Sequence, residues 1–118
     1  RQINRKMKTL RKGTVAYMSL TEAEMRRFWF QQGDNEGFVN YPLTIKKMRM
    51  SAIFTEHTDF IRVSLRSRGN VDVNLFANRY FNGGGHHNAA GGKSFMNMED
   101  TIAHYIAAVE EYHNEGLV

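Results

Sequence analysis

Alternating apolar and polar residues predict a β-hairpin in the middle of the chain. The apolar positions of its first strand are Met48, Met50, Ala52 and Phe54. Those of its second strand are Ile61, Val63 and Leu65. The turn is predicted at residues 57–59, His-Thr-Asp. Arg62, Ser64 and Arg66 occupy the other face of the second strand. The pattern therefore predicts an antiparallel sheet with one apolar face and one cationic face that suits a phosphate group.

Helical spacing predicts two helices before the hairpin. Ile3, Met7 and Leu10 recur at that spacing and indicate an amphipathic helix over residues 1–12, which Gly13 ends. A short strand is expected at residues 14–19. The sequence Thr-Glu-Ala-Glu at residues 21–24 is a capping box, and the helix that it opens continues through the apolar positions Met25, Phe28 and Trp29.

Two further helices are predicted after the hairpin. The first runs from Asp72 to Tyr80 and turns inward its apolar positions, which are Val73, Phe76 and Ala77. The second covers residues 98–115, ends at Gly116 and has a stripe formed by Ile102, Ile106 and Val109. A loop at residues 33–37 and a segment with Pro42 at residues 38–44 interrupt the pattern. The fold class expected is α+β, a small mixed or antiparallel sheet packed by helices, with a glycine-rich substrate loop.

Composition narrows the class of protein. The chain has 118 residues, of which 42% are hydrophobic, enough for one folded domain. It has no cysteine, which excludes disulfides and thiolate metal sites and favours a reducing, cytoplasmic location. No apolar run approaches membrane-spanning length, so no membrane partner is expected. The net charge of +4 favours an anionic partner.

Basic residues are concentrated at the start of the chain. Residues 1–12 contain no acid and include Arg1, Arg5, Lys6, Lys8, Arg11 and Lys12. This run suits either a solvated helix face or a phosphate-facing surface. The chain also begins at Arg1 rather than Met, inside the first predicted helix. We therefore expect a fragment of a longer protein, with residues 1–12 as a linker helix and residues 13–118 as the domain.

Half of the ten glycines lie in one segment, Gly-Gly-Gly-His-His-Asn-Ala-Ala-Gly-Gly at residues 83–92. Glycine allows positive φ and close approach to a ligand, and successive amides in such a turn form anion-binding nests. The imidazoles of His86 and His87 and the carboxamide of Asn88 add directional hydrogen bonds. A plain surface loop is the alternative, but flexible linkers are usually Gly/Ser mixtures.

The sequence lacks the motifs of several kinds of reactive site. The adjacent histidines have no carboxylate cluster or cysteine beside them, so a metal site is not expected. No Gly-Lys-Ser/Thr follows the glycines, and the Gly-x-Gly-x-x-Gly spacing of dinucleotide-binding folds is absent. No nucleophile elbow supports a catalytic triad. The segment therefore indicates binding groups without a catalytic residue of their own.

Three stretches together resemble a known family. They are Arg-Val-Ser-Leu-Arg-Ser at residues 62–67, Val-Asp-Val at residues 71–73 and Gly-Gly-Gly-His-His-Asn-Ala-Ala-Gly at residues 83–91. They are similar to the DHH-associated C-terminal domain of DHH-family phosphoesterases. The nearest subgroup is the NrnA-like oligoribonucleases and pAp phosphatases, often called exopolyphosphatase-related. The segment Asn-Tyr-Pro-Leu at residues 40–43 also resembles that subgroup.

The resemblance implies a two-domain parent enzyme. Its N-terminal DHH domain would hold Mn²⁺ and hydrolyse short oligoribonucleotides, pAp or both. The C-terminal domain would close over that site and hold the nucleotide, and would be inactive alone. His86 and His87 follow Gly85 rather than Asp, so they are not the Asp-His-His motif of the catalytic domain.

Carried over by position, the family's substrate contacts fall on Arg66, on the backbone of Gly83, Gly84 and Gly85, and on His86. His87, Asn88, Ser64 and Arg62 complete the set of expected substrate-binding residues. His87 departs from the Arg or Lys that is common there, which reduces the cationic charge of the loop at neutral pH. The cationic strand face is expected to form a wall opposite the glycine loop.

Other functions stay open at this point. The domain could be a nucleic-acid module of the kind appended to alanyl-tRNA synthetases, in which case the basic residues 1–12 matter most. It could also serve a phosphoesterase for cyclic dinucleotides or polyphosphate. A third alternative is a packing role against its own catalytic domain or a second copy, through Ile3, Met7 and Leu10.

Overall fold

The computed structural model describes residues 7–32 and 47–118. The strands, in chain order, are β1 (Lys8–Leu10), β2 (Val15–Leu20), β3 (Met50–Glu56), β4 (Ile61–Ser67), β5 (Gly84–His86) and β6 (Ala89–Ser94). The α-helices are α1 (Glu22–Gln32), α2 (Val73–Tyr80) and α3 (Met98–Asn114). These six strands form one sheet in the order β1-β2-β3-β4-β6-β5. Only β2 and β3 are parallel neighbours within it. The predicted α+β class is confirmed.

The predicted hairpin is present as β3 and β4. The two strands are antiparallel, with Met50 opposite Ser67 and Glu56 opposite Ile61. The amide of His57 donates to the carbonyl of Phe60 and closes the turn. The pairing agrees with the period-two pattern, because a slip of one residue would move the apolar set of one strand to the opposite face.

The predicted helix starts are also present. Thr21 and Glu24 form a reciprocal capping box: the Glu24 amide donates to Thr21 Oγ1 at 3.1 Å and the Thr21 amide to Glu24 Oε1 at 2.9 Å. At α2, Asp72 is the N-cap and accepts from the Leu75 amide at 3.0 Å. Local side-chain chemistry therefore determines where both helices begin.

The main core lies between one face of the sheet and helices α2 and α3. Aromatic rings fill its centre: Phe54 meets Tyr105 at 5.2 Å between centroids, and Phe76 meets Tyr112 at 5.0 Å, both edge to face. Such pairs add favourable quadrupole contacts to the burial of apolar area. The inward face of α2 is the predicted one, since Val73, Phe76 and Ala77 are all buried.

The other face of the sheet is covered unevenly. Met18 and Ile53 are cross-strand neighbours on it, and both are buried. Helix α1 packs against β2 and β3 and contributes the buried Met25. Farther along the same face, on β4 and β6, Arg62 and Lys93 are exposed. The sheet therefore has a cationic region beside the area that α1 covers.

The first described residues of the chain form a strand where a helix was predicted. Lys8–Leu10 is a strand that pairs antiparallel with β2, with Leu10 opposite Val15. Residues 1–6 lie outside the described residues, as do the predicted loop at 33–37 and the proline segment at 38–44. The helix prediction is wrong for residues 8–10 because the edge of β2 offers unpaired backbone groups that a neighbouring segment can satisfy.

The buried side of α3 also differs from the predicted stripe. Val109 is buried, but Ile106 is 37% exposed and Ile102 is only partly buried. The buried side is formed mainly by Thr101, Tyr105, Ala108 and Tyr112. This set lies one position earlier, a rotation of about 100°. Two tyrosines bury large rings because their hydroxyls find backbone acceptors, the carbonyls of Ala16 and Asp72.

Candidate functional site

Strand β4 places its polar residues on the face that the sequence predicts. Ile61, Val63 and Leu65 belong to the core cluster. Because side chains alternate along a strand, Arg62, Ser64 and Arg66 point to the opposite face. Arg62 is exposed, while the other two are half-buried. Arg66 Nη1 donates to the carbonyl of Leu65 at 2.9 Å, which holds its guanidinium near its own strand.

The glycine segment forms strands rather than the expected loop, and it lies beside β4 rather than opposite it. Strand β6 pairs antiparallel with β4, and β5 pairs with β6 as a hairpin. Arg66 is opposite Ala89, which is in turn opposite His86. Directly paired residues share a face, so Arg66 and His86 belong to one cross-strand row. Two strand spacings separate their Cα atoms by about 10 Å.

A second row adds a cation that the sequence analysis missed. Arg62 is opposite Lys93 on β6, and the Lys93 ammonium lies 4.6 Å from the centroid of the Phe60 ring. Ser64, opposite Gly91, occupies the row between the two arginines. Alternation along residues 89–94 would have identified Lys93 once that segment was recognised as a strand. We name this surface, formed by Arg62, Ser64, Arg66, His86 and Lys93, the cationic face.

The three consecutive glycines serve close packing. A Cβ on Gly83 would lie 1.9 Å from the carbonyl oxygen of Gly91. Gly85 has φ +155°, and a Cβ there would lie 2.7 Å from the carbonyl oxygen of Ala89. Gly84 faces α2, where a Cβ would lie 3.1 Å from Asn74 Oδ1. Side chains at these positions would separate the strands of the hairpin or push it off α2.

Two amides of the predicted anion nest already have acceptors inside the domain. The Gly83 amide donates to the carbonyl of Ala77 at 3.1 Å. The Gly85 amide donates to Asn74 Oδ1 at 2.8 Å. Because each N–H group makes one good hydrogen bond, these two are committed to holding the hairpin on α2. A nest would have to form without these two amides, and the substrate-binding roles of Gly83, Gly84 and Gly85 stay predictions.

His87 and Asn88, at the turn of the hairpin, are held by the connection between β4 and α2. His87 Nε2 lies 3.0 Å from the carbonyl oxygen of Gly69, and its Nδ1 lies 3.8 Å from an oxygen of Asp72. Asn88 Nδ2 donates to Ser67 Oγ at 2.9 Å, with the carbonyls of Gly69 and Val71 slightly farther away. Their roles in substrate binding stay predictions, and neither belongs to the Arg66–His86 row.

The described residues do not fit a metal centre. In residues 7–32 and 47–118 there is no group of three or more His, Asp or Glu side chains that could hold an ion. His86 lies in a cross-strand row, whereas His87 contacts the β4–α2 connection, so these neighbours do not converge on one point. We therefore derive no chemical step through a metal from these residues.

A family model for the DHHA1 domain matches residues 12–115. The chain belongs to the DHHA1 domain family. This confirms the resemblance to the C-terminal domain of DHH-family phosphoesterases. Among the described helices, none combines the length and the apolar content that crossing a bilayer requires.

Solved structures share the fold of this DHHA1 domain. An exopolyphosphatase-related protein from Bacteroides fragilis superposes with a TM-score of 0.82 at 40% identity, over 94% of this chain and 33% of that one. A pGpG-specific phosphodiesterase from Vibrio cholerae superposes with a TM-score of 0.64 at 18% identity, over 96% of this chain and 37% of that one. At that identity, the second match shows the fold alone.

A curated relative also matches part of the DHHA1 domain. It is the 3′,5′-cyclic-nucleotide phosphodiesterase of Helicobacter pylori, which is 38% identical over 69 residues, 51% of this chain and 20% of the relative. The chain thus spans a fifth of that relative and about a third of the Bacteroides protein. Both relatives are longer proteins in which the matching domain is one part.

Proposed function

We propose that this DHHA1 domain holds the nucleotide substrate of a phosphoesterase that acts on short oligoribonucleotides, pAp or both. In this proposal the cationic face receives the substrate, and a DHH domain outside this chain supplies Mn²⁺ and the hydrolytic step. The observation that carries the proposal is the cross-strand row in which Arg66 and His86 share one face of the sheet.

Arg66 is the group best suited to a phosphate. Its guanidinium is planar and always charged, so that it can bind two phosphate oxygens at once. It is half-buried and lies close to the strand, so its conformational freedom is already reduced before a ligand arrives. Arg62 and Lys93, two rows farther along the same face, add positive charge that attracts a phosphate diester.

His86 is the group best suited to a second contact on the same substrate. Its ring is exposed and about 10 Å from Arg66 along the row, measured between Cα atoms. Both side chains can reach inward across that span, so one nucleotide could contact both. His86 would donate to a phosphate or to a base edge, while Arg66 holds a phosphate. Such a pair fixes which phosphate of the substrate is presented to the catalytic domain, a contribution of positioning.

The relatives support the choice of substrate class. One is named a cyclic-nucleotide phosphodiesterase and another exopolyphosphatase-related, and both names describe cleavage at phosphoryl groups. Both are substantially identical to this chain where they align, at 38% and 40%. A surface of several cations fits a domain that binds a phosphorylated substrate while another domain cleaves it.

The test is Arg66→Ala in the full-length protein that contains this domain, assayed on a dinucleotide and on pAp. Loss of one charged hydrogen-bond partner costs about 1.5–3 kcal/mol, so kcat/KM should fall roughly 10- to 100-fold. Arg66→Lys keeps the charge and loses the planar fork, so it should recover only part of the activity. His86→Ala should also lower kcat/KM.

The matched control is Arg26→Ala. Arg26 is an exposed arginine on α1 that pairs with Glu22 at 3.7 Å and is not one of the five residues of the cationic face. The substitution Arg26→Ala removes one arginine charge from the same domain, as Arg66→Ala does, and should leave kcat/KM unchanged. If Arg66→Ala and His86→Ala both retain the wild-type kcat/KM on both substrates, the proposed function is wrong.

A further inference from the structure

A second group of cations surrounds a cavity at the β1–β2 side of the molecule. The cavity has a volume of about 670 Å³ and is lined by Arg11, Lys12, Thr14, Arg49, His113 and Val118. Three of these six residues are permanently charged cations. None of them belongs to the cationic face, and the family resemblance assigns none of them to substrate binding. The cavity therefore needs an explanation of its own.

The connection between β1 and β2, which carries two of these cations, has an unusual backbone conformation. Arg11 and Lys12 both have left-handed backbone, with φ +52° and +58°, and Gly13 follows at +85°. Bulky residues rarely adopt that conformation, and they keep it only where the surroundings enforce it. Gly13 leaves space for the side chain of Lys47, whose ammonium lies 3.0 Å from where a Cβ on Gly13 would be. A fourth cation thus approaches the same turn.

Two arginines that line the cavity have donor groups without a carboxylate acceptor. Arg11 Nε is buried and has no hydrogen-bond partner among the described residues. The acid that pairs with Arg11 is Glu110 at 3.6 Å, whose own side chain is 63% exposed. Arg49 Nη2 donates to the neutral amide oxygen of Asn70 rather than to a carboxylate. The like charges of Arg11, Lys12 and Arg49 repel one another, and an anion bound between them would reduce that repulsion.

We propose that this cavity is a second anion site that binds a phosphoryl group, separate from the cationic face. Arg11, Lys12 and Arg49, which line the cavity, would supply the charge. The same chemistry suits a phosphate of an oligonucleotide strand and a free phosphate or pyrophosphate. Inorganic phosphate and a strand are distinguishable sources, and the experiment separates them.

The experiment is a titration of the 118-residue chain followed by amide NMR, with three probes: inorganic phosphate, pyrophosphate and a five-nucleotide RNA. The expected result is saturable shifts at the Lys12, Gly13 and Arg49 amides with at least one probe. Lys12→Ala and Arg49→Ala should each weaken that binding roughly ten-fold or more. Glu110→Gln, which removes the competing acid, should strengthen it.

The control variant is again Arg26→Ala, which removes a cation that does not line the cavity and should leave these shifts and the affinity unchanged. Competition identifies the source of the phosphoryl group. If RNA binds and millimolar phosphate does not displace the RNA, a phosphate of the strand is indicated. If millimolar phosphate displaces the RNA, a free phosphoryl anion is indicated. Shifts absent with all three probes, or equal weakening by Arg26→Ala and Arg49→Ala, would overturn the second site.

The two proposals fail in different ways. Arg66→Ala should leave the shifts at Lys12 and Arg49 intact, since the cationic face lies on β4, β5 and β6. If Arg66→Ala abolishes all binding and Arg49→Ala changes none of it, the second site is wrong and the proposed function stands. If Arg49→Ala weakens the shifts at its own cavity while Arg66→Ala and His86→Ala both leave kcat/KM unchanged, the second site stands and the proposed function is wrong.

Discussion

Neighbouring residues in the glycine hairpin have different surroundings. His86 is exposed in the row of Arg66, whereas Asn88, two positions later, donates its side-chain amide into the β4–α2 connection. Both belong to one short motif and both are candidate substrate contacts by sequence. Their hydrogen-bond partners distinguish them, because a side chain committed to the fold is not available to a ligand without a cost in stability.

We expect Asn88→Ala to destabilise the domain. It removes the donor to Ser67 Oγ, and leaves that hydroxyl and nearby carbonyls with fewer partners. The free energy of unfolding should fall by about 1–3 kcal/mol, measured by urea denaturation. Nucleotide affinity of the folded protein should be retained. A variant with wild-type stability and lost nucleotide affinity would contradict this role.

His86→Ala is the matched comparison. Because the ring is exposed, its removal should change the free energy of unfolding by less than about 0.5 kcal/mol. The two variants therefore separate stability from binding within one turn of the hairpin.

At the scale of elements, strand β6 connects the hairpin to the rest of the sheet. It pairs with β4 on one side and β5 on the other, and β5 also rests on α2. Glycines make these contacts possible because their backbones approach where a side chain would collide. The cationic face depends on this arrangement, since β6 supplies Lys93 and aligns His86 with Arg66.

Gly83→Ala should disrupt the hairpin. Its Cβ would lie 1.9 Å from the carbonyl oxygen of Gly91, a backbone atom that cannot move without breaking the pairing. We expect a loss of roughly 3 kcal/mol or more in the free energy of unfolding, together with weakened nucleotide binding. Thermal denaturation followed by circular dichroism measures the first effect.

The control for Gly83→Ala is Gly69→Ala. Gly69 has φ +63° but nothing lies within 4 Å of a Cβ there, so only backbone strain is added. Its cost should be about 1 kcal/mol. Equal losses in the two variants would show that steric collision at Gly91 is not the cause.

At the scale of the whole molecule, buried tyrosines join α3 to the rest of the fold. The Tyr105 hydroxyl donates to the carbonyl of Ala16 on β2, and that of Tyr112 donates to the carbonyl of Asp72 before α2. Burial raises the pKa of Tyr105 far above its ordinary value. Burial first, and then the charge of Asp72, raise the pKa of Tyr112 to about 12. Both rings are therefore stable in the core only as neutral phenols.

The domain should lose stability in alkaline solution. Unfolded tyrosines ionise near pH 10, whereas folded Tyr112 ionises near pH 12. Stability from this difference is fully present below pH 10 and is lost as the pH rises through 12. Each tyrosine contributes a slope of at most about 1.4 kcal/mol per pH unit. Urea denaturation at pH 8 and pH 11 measures the loss.

Tyr105→Phe combined with Tyr112→Phe tests the cause of that loss. The double variant lacks both ionisable hydroxyls, so its unfolding free energy should fall less between pH 8 and pH 11 than that of the wild type. It should be less stable than the wild type at pH 8, because two backbone carbonyls lose a donor. An identical pH dependence in both proteins would assign the alkaline loss to other groups.

Local periodicity and capping residues are enough to predict several parts of this fold. Alternation placed Arg62 and Arg66 opposite the apolar residues of β4, and the capping residues Thr21 and Asp72 marked the starts of two helices. These features arise between residues a few positions apart, where side-chain direction follows from the backbone period. The family motif was also local, and it was recognised correctly.

Tertiary structure decided which strands are neighbours and which face of a helix is buried. Strand β1 forms where a helix was predicted, because the edge of β2 needed a partner. The glycine segment is a hairpin beside β4, and this pairing aligns His86 with Arg66 and brings Lys93 opposite Arg62. Because Tyr105 and Tyr112 are buried, the inward face of α3 differs from the predicted stripe. The pairing of β4 with β6 and the hydrogen bonds of the two buried tyrosines join residues far apart in the chain, which short-range patterns do not record.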